Sequence, residues 1–250
     1  MSGHSKWATI KHKKGAADAK RGKLFAKLIK QVEVAARTGG GDLDGNPTLR
    51  TMYRKARDSS VPLDTIERAI KRGTGELEGV DYEPITYEGY APAGVALYVE
   101  VLTDNRNRSG SDMRSIFSKN GGSMAEPGAV AWQFERKGVI ILDGKVDEDE
   151  LMLVAIDNGG EDLADEGDTW RLTCQPTDLN GLRDALEENG IAFESADLTM
   201  LPTSTVEVSD SKDAKAVLQL IDALDDNDDV QDVFANFDMP DEVLQDAASG

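Results

Sequence analysis

Residues 138–200 read GVIILDGKVDEDELMLVAIDNGGEDLADEGDTWRLTCQPTDLNGLRDALEENGIAFESADLTM, and the apolar rhythm of this stretch decides the fold class. Val139–Leu142 is a continuous apolar run, set off by the Lys137-Gly138 turn before it. A helical stretch near Asp147–Asn158 follows, then two strand-like runs at Glu161–Ala164 and Thr169–Cys174. A second helical stretch, Asp178–Asn189, leads to a last strand at Ala192–Thr199. The order β-α-β-β-α-β predicts a complete ferredoxin-like α+β sandwich over 138–200.

The flanks carry half a set each. Before it come a β-rich run at Val95–Leu102, a polar turn at Thr103–Arg108, a helix at about Ser109–Lys119 closed by Asn120-Gly121-Gly122, and a strand at Ala129–Phe134. After it, past Pro202, come Thr205–Val208, a helix at Lys212–Leu224 and a strand at Val230–Phe234. A sequential layout would leave two half-sheets with open edges, which proteins avoid. The sequence therefore predicts a second ferredoxin-like α+β domain made of 80–137 plus 201–238, with 138–200 inserted into it. Residues 239–250 are expected to trail as a mobile acidic tail.

Residues 1–79 follow a different rule. Residues 1–17 show no apolar period and read as a flexible arm. From Asp18 to Arg37, Leu24, Phe25, Leu28, Ile29, Val32 and Ala36 recur on one helical face, with Lys20, Lys23, Lys27, Lys30 and Arg37 opposite. Gly39-Gly40-Gly41 ends that helix. Asn46-Pro47 opens a second, with Asn as cap and Pro in the first turn. A third runs from near Pro62 to Gly73. The whole is predicted to be α+β and multidomain, with a small helical domain in front.

Charge divides the chain in the same place. Residues 1–75 hold 17 Lys/Arg against 7 Asp/Glu, a net of +10, while residues 76–250 carry −29 of the overall −19. A pI near 4.5 for the whole chain argues against a polyanionic partner. A basic module tethered to an acidic body argues for one, because the local field decides what a surface attracts. Lys6, Lys11, Lys13, Lys14, Lys20, Arg21, Lys23, Lys27 and Lys30 set nine cations against the single acid Asp18 in the first 30 residues. Repeated cations along a strand or helix suit phosphate contacts, whose binding free energy comes largely from released counterions. Trp7, His4 and His12 suit stacking on an unpaired base, although Trp7 equally suits anchoring the arm to the helical domain. The third helix crowds Arg68, Lys71 and Arg72 at its C-terminal end and has no set of base-reading side chains near its start, so no sequence reader is evident.

A possible second site is Asp104-Asn105-Arg106-Asn107-Arg108, where Asn105, Arg106 and Arg108 sit at a strand-to-helix turn suited to a phosphate or carboxylate. Turn chemistry with Arg–Asp pairing is the alternative. Tyr87-Glu88-Gly89-Tyr90 and Phe117-Ser118-Lys119 read as packing. Gly39–Asp42 lacks the ending of a phosphate loop. Asp225-Asp226-Asn227-Asp228-Asp229 lacks the glycine and glutamate of a calcium loop and reads as a solvated turn. Both histidines lie in the arm, and the lone Cys174 excludes an internal disulfide or a multi-cysteine zinc cluster. No catalytic constellation, metal site or cofactor is expected, and the expected role is non-enzymatic. No apolar run is long enough to span a membrane and no secretory leader is visible, so cytoplasm is the expected location.

Gly3-His4-Ser5-Lys6-Trp7, Lys11-His12-Lys13-Lys14 and Asp18-Ala19-Lys20-Arg21-Gly22-Lys23 resemble the opening of the YebC/PmpR family. Gly39–Asp42, Asn46-Pro47, Tyr87–Tyr90, Asp104–Arg108 and Asn120–Gly122 match it in order, over nearly the whole chain. The resemblance implies one helical and two α+β domains with a cleft between them. It also implies a bacterial cytoplasmic protein of a group labelled transcriptional regulators, whose relatives include a mitochondrial activator of translation. Two partners therefore stand open: duplex DNA, or ribosomal RNA on the ribosome. A protein partner on the acidic α+β domains is a third.

Overall fold

Helix α1 spans Asp18–Gly39 in a computed structural model that describes residues 18–249. Its buried stripe is Leu28, Val32, Ala35 and Ala36. Helix α2 (Pro47–Asp58) starts where Asn46 Oδ1 accepts the Leu49 N–H at 3.0 Å. The same buried side chain donates through Nδ2 to the carbonyls of Ala35 and Gly40, at 2.9 and 2.8 Å. One asparagine thus caps the start of α2 and takes up carbonyls left open at the end of α1. Helix α3 (Leu63–Gly73) closes onto α1 so tightly that a Cβ on Gly73 would lie 2.7 Å from the Ala36 methyl. Leu28, Val32, Leu49, Ala56, Ile66 and Ala69 form the shared apolar core.

The carboxylate of Glu33, buried in this module, binds the parts together. It accepts from Arg72 Nε of α3 at 2.8 Å and from the Val80 N–H of the segment leading out of the module at 3.2 Å. Arg37 reaches the same exit segment, donating to the Val80 carbonyl at 2.7 Å.

Strands β1 (Glu83–Tyr90) and β2 (Ala96–Thr103) then form an antiparallel hairpin. Helix α4 (Arg106–Lys119) leads to the short strand β3 (Ser123–Ala125), which pairs with β1. Gly89 of β1 is fixed by packing, since a Cβ there would meet the Phe117 ring of α4 at 2.6 Å. After β4 (Phe134–Asp143) come α5 (Glu148–Asp157), β5 (Gly160–Asp165), β6 (Thr169–Cys174), α6 (Leu179–Glu188) and β7 (Phe193–Pro202). The chain returns through β8 (Val206–Glu207), α7 (Ser211–Asp225), β9 (Val230–Ala235), β10 (Phe237–Asp238) and α8 (Asp241–Ser249). One sheet has the order β3-β1-β2-β9, another β5-β6-β4-β7, and β8 pairs with β10 in parallel. The fold is mixed α+β.

The chain divides into two compact units. One is residues 135–201; the other joins everything before it to everything after it. The 135–201 unit has the order β-α-β-β-α-β, with a core of Ile140, Leu142, Leu151, Leu172, Leu182 and Leu186. In the other unit, α4 and α7 pack on the four-stranded sheet through Met113, Phe117, Val217, Leu218, Ile221 and Leu224. The chain leaves this unit after Phe134 and re-enters it at Pro202; one residue inside each point, the Thr203 N–H and hydroxyl both donate to the Gln133 carbonyl. Asn236 Nδ2 donates to the Gln133 side chain at 2.9 Å, and Asn236 Oδ1 accepts the Ala96 N–H at 2.7 Å. These bonds close the site of departure as a hairpin would.

Four local readings differ from the sequence expectation. The turn expected at Lys137-Gly138 is absent, because β4 runs unbroken from Phe134 to Asp143 and Gly138 pairs with Cys174. β1 was not expected, because its inward Glu88 and its Pro84 hide the alternation. The expected strand at 129–134 is a loop and a short 3-10 turn as far as Gln133. The Glu88 carboxylate accepts the N–H groups of Gly128, Val130 and Ala131 at 2.6–2.8 Å, so those donors are removed from any ladder. Burial works to raise the Glu88 pKa, but the three backbone donors outweigh it and hold the carboxyl below its usual range. The acidic tail expected at 239–250 is, over Asp241–Ser249, helix α8, and it docks Leu244 at 1 % exposure against α7.

Replacing Asn46 with Ala removes a helix cap and the two hydrogen bonds that tie it to the Ala35 and Gly40 carbonyls. Stability measured by urea unfolding is expected to drop by about 2–4 kcal/mol; a loss under about 0.5 kcal/mol would contradict this role.

Candidate nucleic-acid interface

Three lysines of α1 are engaged by one acidic turn. Lys23, Lys27 and Lys30 follow one another at i, i+4 and i+7, which places them on one stripe of the helix. That stripe meets the turn after α7. Lys23 Nζ donates to the Asp226 carbonyl at 3.0 Å and to its carboxylate at 2.6 Å. Lys27 Nζ takes the Asp225 carbonyl at 2.7 Å and its carboxylate at 3.2 Å. Lys30 Nζ takes the Asp228 carbonyl at 2.9 Å and the Asp229 carboxylate at 3.3 Å. Two of the acceptors, the Asp225 and Asp226 carbonyls, lie at the C-terminus of α7, where the macrodipole also favours cations. The expectation of a solvated 225–229 turn gives way to a turn ligated by three ammonium groups. Lys27 is 9 % exposed, so it is not part of an open cationic face.

The possible second site meets the same turn. Asn105 caps α4, its Oδ1 accepting the Arg108 N–H at 3.1 Å. Arg108 Nη2 donates to Asp104 at 2.8 Å and to Asp229 Oδ2 at 2.7 Å. Arg106 turns the other way and pairs with Glu83 at 2.7 Å. The structure thus sets Asn105 and Arg108 in cap and ion-pair roles and separates Arg106 from them.

Asp229 is the group on which both candidate sites converge. Its carboxylate accepts from Thr103 Oγ1 and Ser109 Oγ, each at 3.0 Å, besides Arg108 and Lys30. Burial alone would raise its pKa. The hydrogen bonds from Arg108, Ser109 and Thr103 and the Lys30 charge outweigh burial and hold it below the usual carboxylate range. Lys30 Nζ also stands 5.3 Å from the Tyr82 ring centroid. Lys30, Tyr82, Arg108 and Asp229, with Asp104, Asp112 and Asp228, line a cleft of about 360 Å³. Four carboxylates and two cations line it, so the cleft is acidic on balance.

Other cations of the helical module serve its architecture. Arg72 pairs with Glu33 at 2.8 Å, Arg37 with Asp81 at 2.5 Å, and Arg50 donates to the carbonyls of Leu43 and Asp44. Arg21 is exposed, its guanidinium 5.7 Å from the Phe25 ring, and Arg57 and Lys71 are exposed as well. Lys20 lies on α1. Lys6, Trp7, Lys11, His12, Lys13 and Lys14 lie outside the described residues. Cys174 is fully buried, and burial pushes its thiol up to about 11, so it stays protonated at neutral pH. Among the described residues no helix is long and apolar enough to cross a membrane.

Sequence reasoning missed Glu33, Glu88 and Asp229, since nothing local distinguishes them from the many surface carboxylates. The one available signal was the match between a lysine row and an acidic run some 200 residues later, and no register follows from it.

Because the folded pKa of Asp229 is depressed, its stabilising effect is full above the ordinary Asp value of about 3.9. It fades as pH falls from there through the lower folded value. Asp229→Asn is expected to cost about 2–4 kcal/mol at pH 7 and to flatten the acid limb of the stability profile. An unchanged profile would remove Asp229 from this role.

Two family models match the chain: the TACO1/YebC protein N-terminal domain over residues 5–76, and the TACO1/YebC second and third domain over residues 82–237. A Halothermothrix orenii protein named "Probable transcriptional regulatory protein" is 55 % identical over 248 residues, covering 98 % of each chain. A Rubrobacter xylanophilus protein of the same name is 56 % identical over 250 residues, covering 99 % of this chain and 100 % of that one. The crystal structure of the conserved hypothetical protein Aq1575 from Aquifex aeolicus is similar at a TM-score of 0.81 and 45 % identity, over 91 % of this chain and 94 % of that one. The chain belongs to the TACO1/YebC family.

Proposed function

We propose that this protein is a non-enzymatic regulator of gene expression that holds nucleic acid by its backbone, through the N-terminal arm and the outward cations of the helical module. The observation that carries this reading is the charge split, +10 in residues 1–75 against −29 in the remainder. Arg21, Arg57 and Lys71 add exposed cations to the arm's lysines. The acidic remainder repels a polyanion, which confines contact to one end, and leaves its own surfaces to a protein partner. The buried, protonated Cys174 thiol and the placing of both histidines in the arm support a role without catalysis. The working compartment is the cytoplasm, where nucleic acid and a reduced cysteine coexist.

The relatives' printed names favour a transcriptional target, duplex DNA. A second reading, ribosomal RNA on the ribosome, is favoured by α3. A recognition helix reads bases with its N-terminal residues. Here that end carries Leu63 and Asp64, and Arg72 at the other end is held by Glu33. Contacts made by lysines to phosphates position a protein without reading sequence.

Binding to a promoter duplex, a random duplex and purified ribosomes at moderate salt separates the two targets. Equal affinity for both duplexes with saturable ribosome binding leaves only the second reading; a strong promoter preference leaves only the first. With about six phosphates neutralised, log affinity is expected to fall against log salt with a slope near −5 on duplex DNA or about −4 on a single strand. Lys11, Lys13 and Lys14 changed together to Glu are expected to abolish binding with the unfolding curve unchanged. Retained binding in that variant would refute the arm as the contact surface.

A further inference from the structure

We propose that the row Lys23–Lys27–Lys30 is itself a phosphodiester-binding surface, held closed by the 225–229 turn acting as an internal competitor. This rests on the nucleic-acid reading above and adds its regulation. Lys23, Lys27 and Lys30 recur at i, i+4 and i+7, a single cationic stripe about 10 Å long. Its three members each hold one carbonyl and one carboxylate oxygen of the acidic turn. Oxygens with partial or full negative charge, spaced along one stripe, are what a nucleic-acid backbone also presents.

Among the described residues, the apolar core of the helical module and the core around α7 share no member. The ion pairs that cross the seam between them differ in exposure: the side chains of Lys23 and Asp226 are 42 % and 73 % exposed, those of Lys27 and Asp225 11 % and 29 %, those of Lys30 and Asp229 18 % and 11 %. The outermost pair contributes little and weakens with salt, whereas opening the inner two requires an incoming polyanion to replace the oxygens they give up. The turn cannot be the part that moves, because Leu224 and Val230 on either side of it are fully buried and Asp229 is held by Thr103, Ser109 and Arg108. The helical module must swing instead. Its exit segment is tied to it as far as Asp81 by Glu33 and Arg37, which puts the pivot at residues 81–83.

The closed state taxes affinity, because only the open fraction offers the full stripe. In the full chain carrying Lys23→Cys and Asp226→Cys, a short bismaleimide bridges the seam, while N-ethylmaleimide caps both cysteines without joining them. Buried Cys174 takes neither reagent. By fluorescence anisotropy on a labelled single-stranded RNA and a DNA duplex, the bridged protein is expected to bind at least tenfold more weakly than the capped one. The variant Asp225→Asn/Asp226→Asn/Asp228→Asn is expected to bind at least threefold more tightly than a control with three neutralised carboxylates elsewhere, Glu148→Gln/Asp149→Asn/Glu194→Gln. Equal binding of bridged and capped protein, or equal gains in the two neutralised variants, would overturn the competitor role. Absence of binding by the wild-type chain to both probes would instead overturn the nucleic-acid reading itself, and this proposal with it.

Discussion

The ligation of the 225–229 turn by lysines of α1 is the interaction on which the arrangement of this protein depends. Within the unit that holds both, the helical module and the β3-β1-β2-β9 sheet have separate apolar cores. What joins them includes three lysines that each hold a backbone carbonyl and a carboxylate of the turn. Asp229 is the fixed point, because its carboxylate is anchored from below by Thr103 and Ser109 and from the side by Arg108. Lys30 then finds an acceptor already oriented, and Lys27 and Lys23 follow one turn apart. A buried carboxylate with one cation would be costly; one with two hydroxyl donors and two cations is well satisfied.

The same economy recurs at Glu33 and Glu88. Each is a buried carboxylate that gathers donors from segments distant in sequence, Glu33 from α3 and the exit segment, Glu88 from the loop before β4. Small α+β units bury limited apolar area. Carboxylates that accept several directed hydrogen bonds supply orientation that apolar packing between such units does not. Asn46 and Asn236 do the neutral equivalent, each bridging two elements through both ends of one amide.

Much of the architecture was legible in the sequence. Period-3.6 stripes fixed α1 to α3, Asn46-Pro47 marked the start of α2, and the apolar runs of 138–200 gave the β-α-β-β-α-β order. What escaped was whatever depended on long-range polar contacts. Glu88 both disguised β1 and turned 129–133 into a loop, and neither effect has a local signature. The acidic letters of Asp241–Ser249 concealed the Val243, Leu244 and Ala247 contacts that seat α8 on α7. At the candidate site the lysines were read from their spacing alone, as an outward face. Spacing reports which residues share a stripe, and it is silent on whether a carboxylate run 200 residues away covers that stripe.

The proposed function places cations of the N-terminal end on the nucleic-acid backbone and keeps the acidic units clear of it. Ultraviolet crosslinking in cells, followed by mass spectrometry of the nucleotide-bearing peptides, tests this most directly. Crosslinks concentrated in residues 1–30, with the attached nucleotide reporting DNA or RNA, are the predicted result. Crosslinks concentrated in residues 135–201, or none anywhere along the chain, would contradict it.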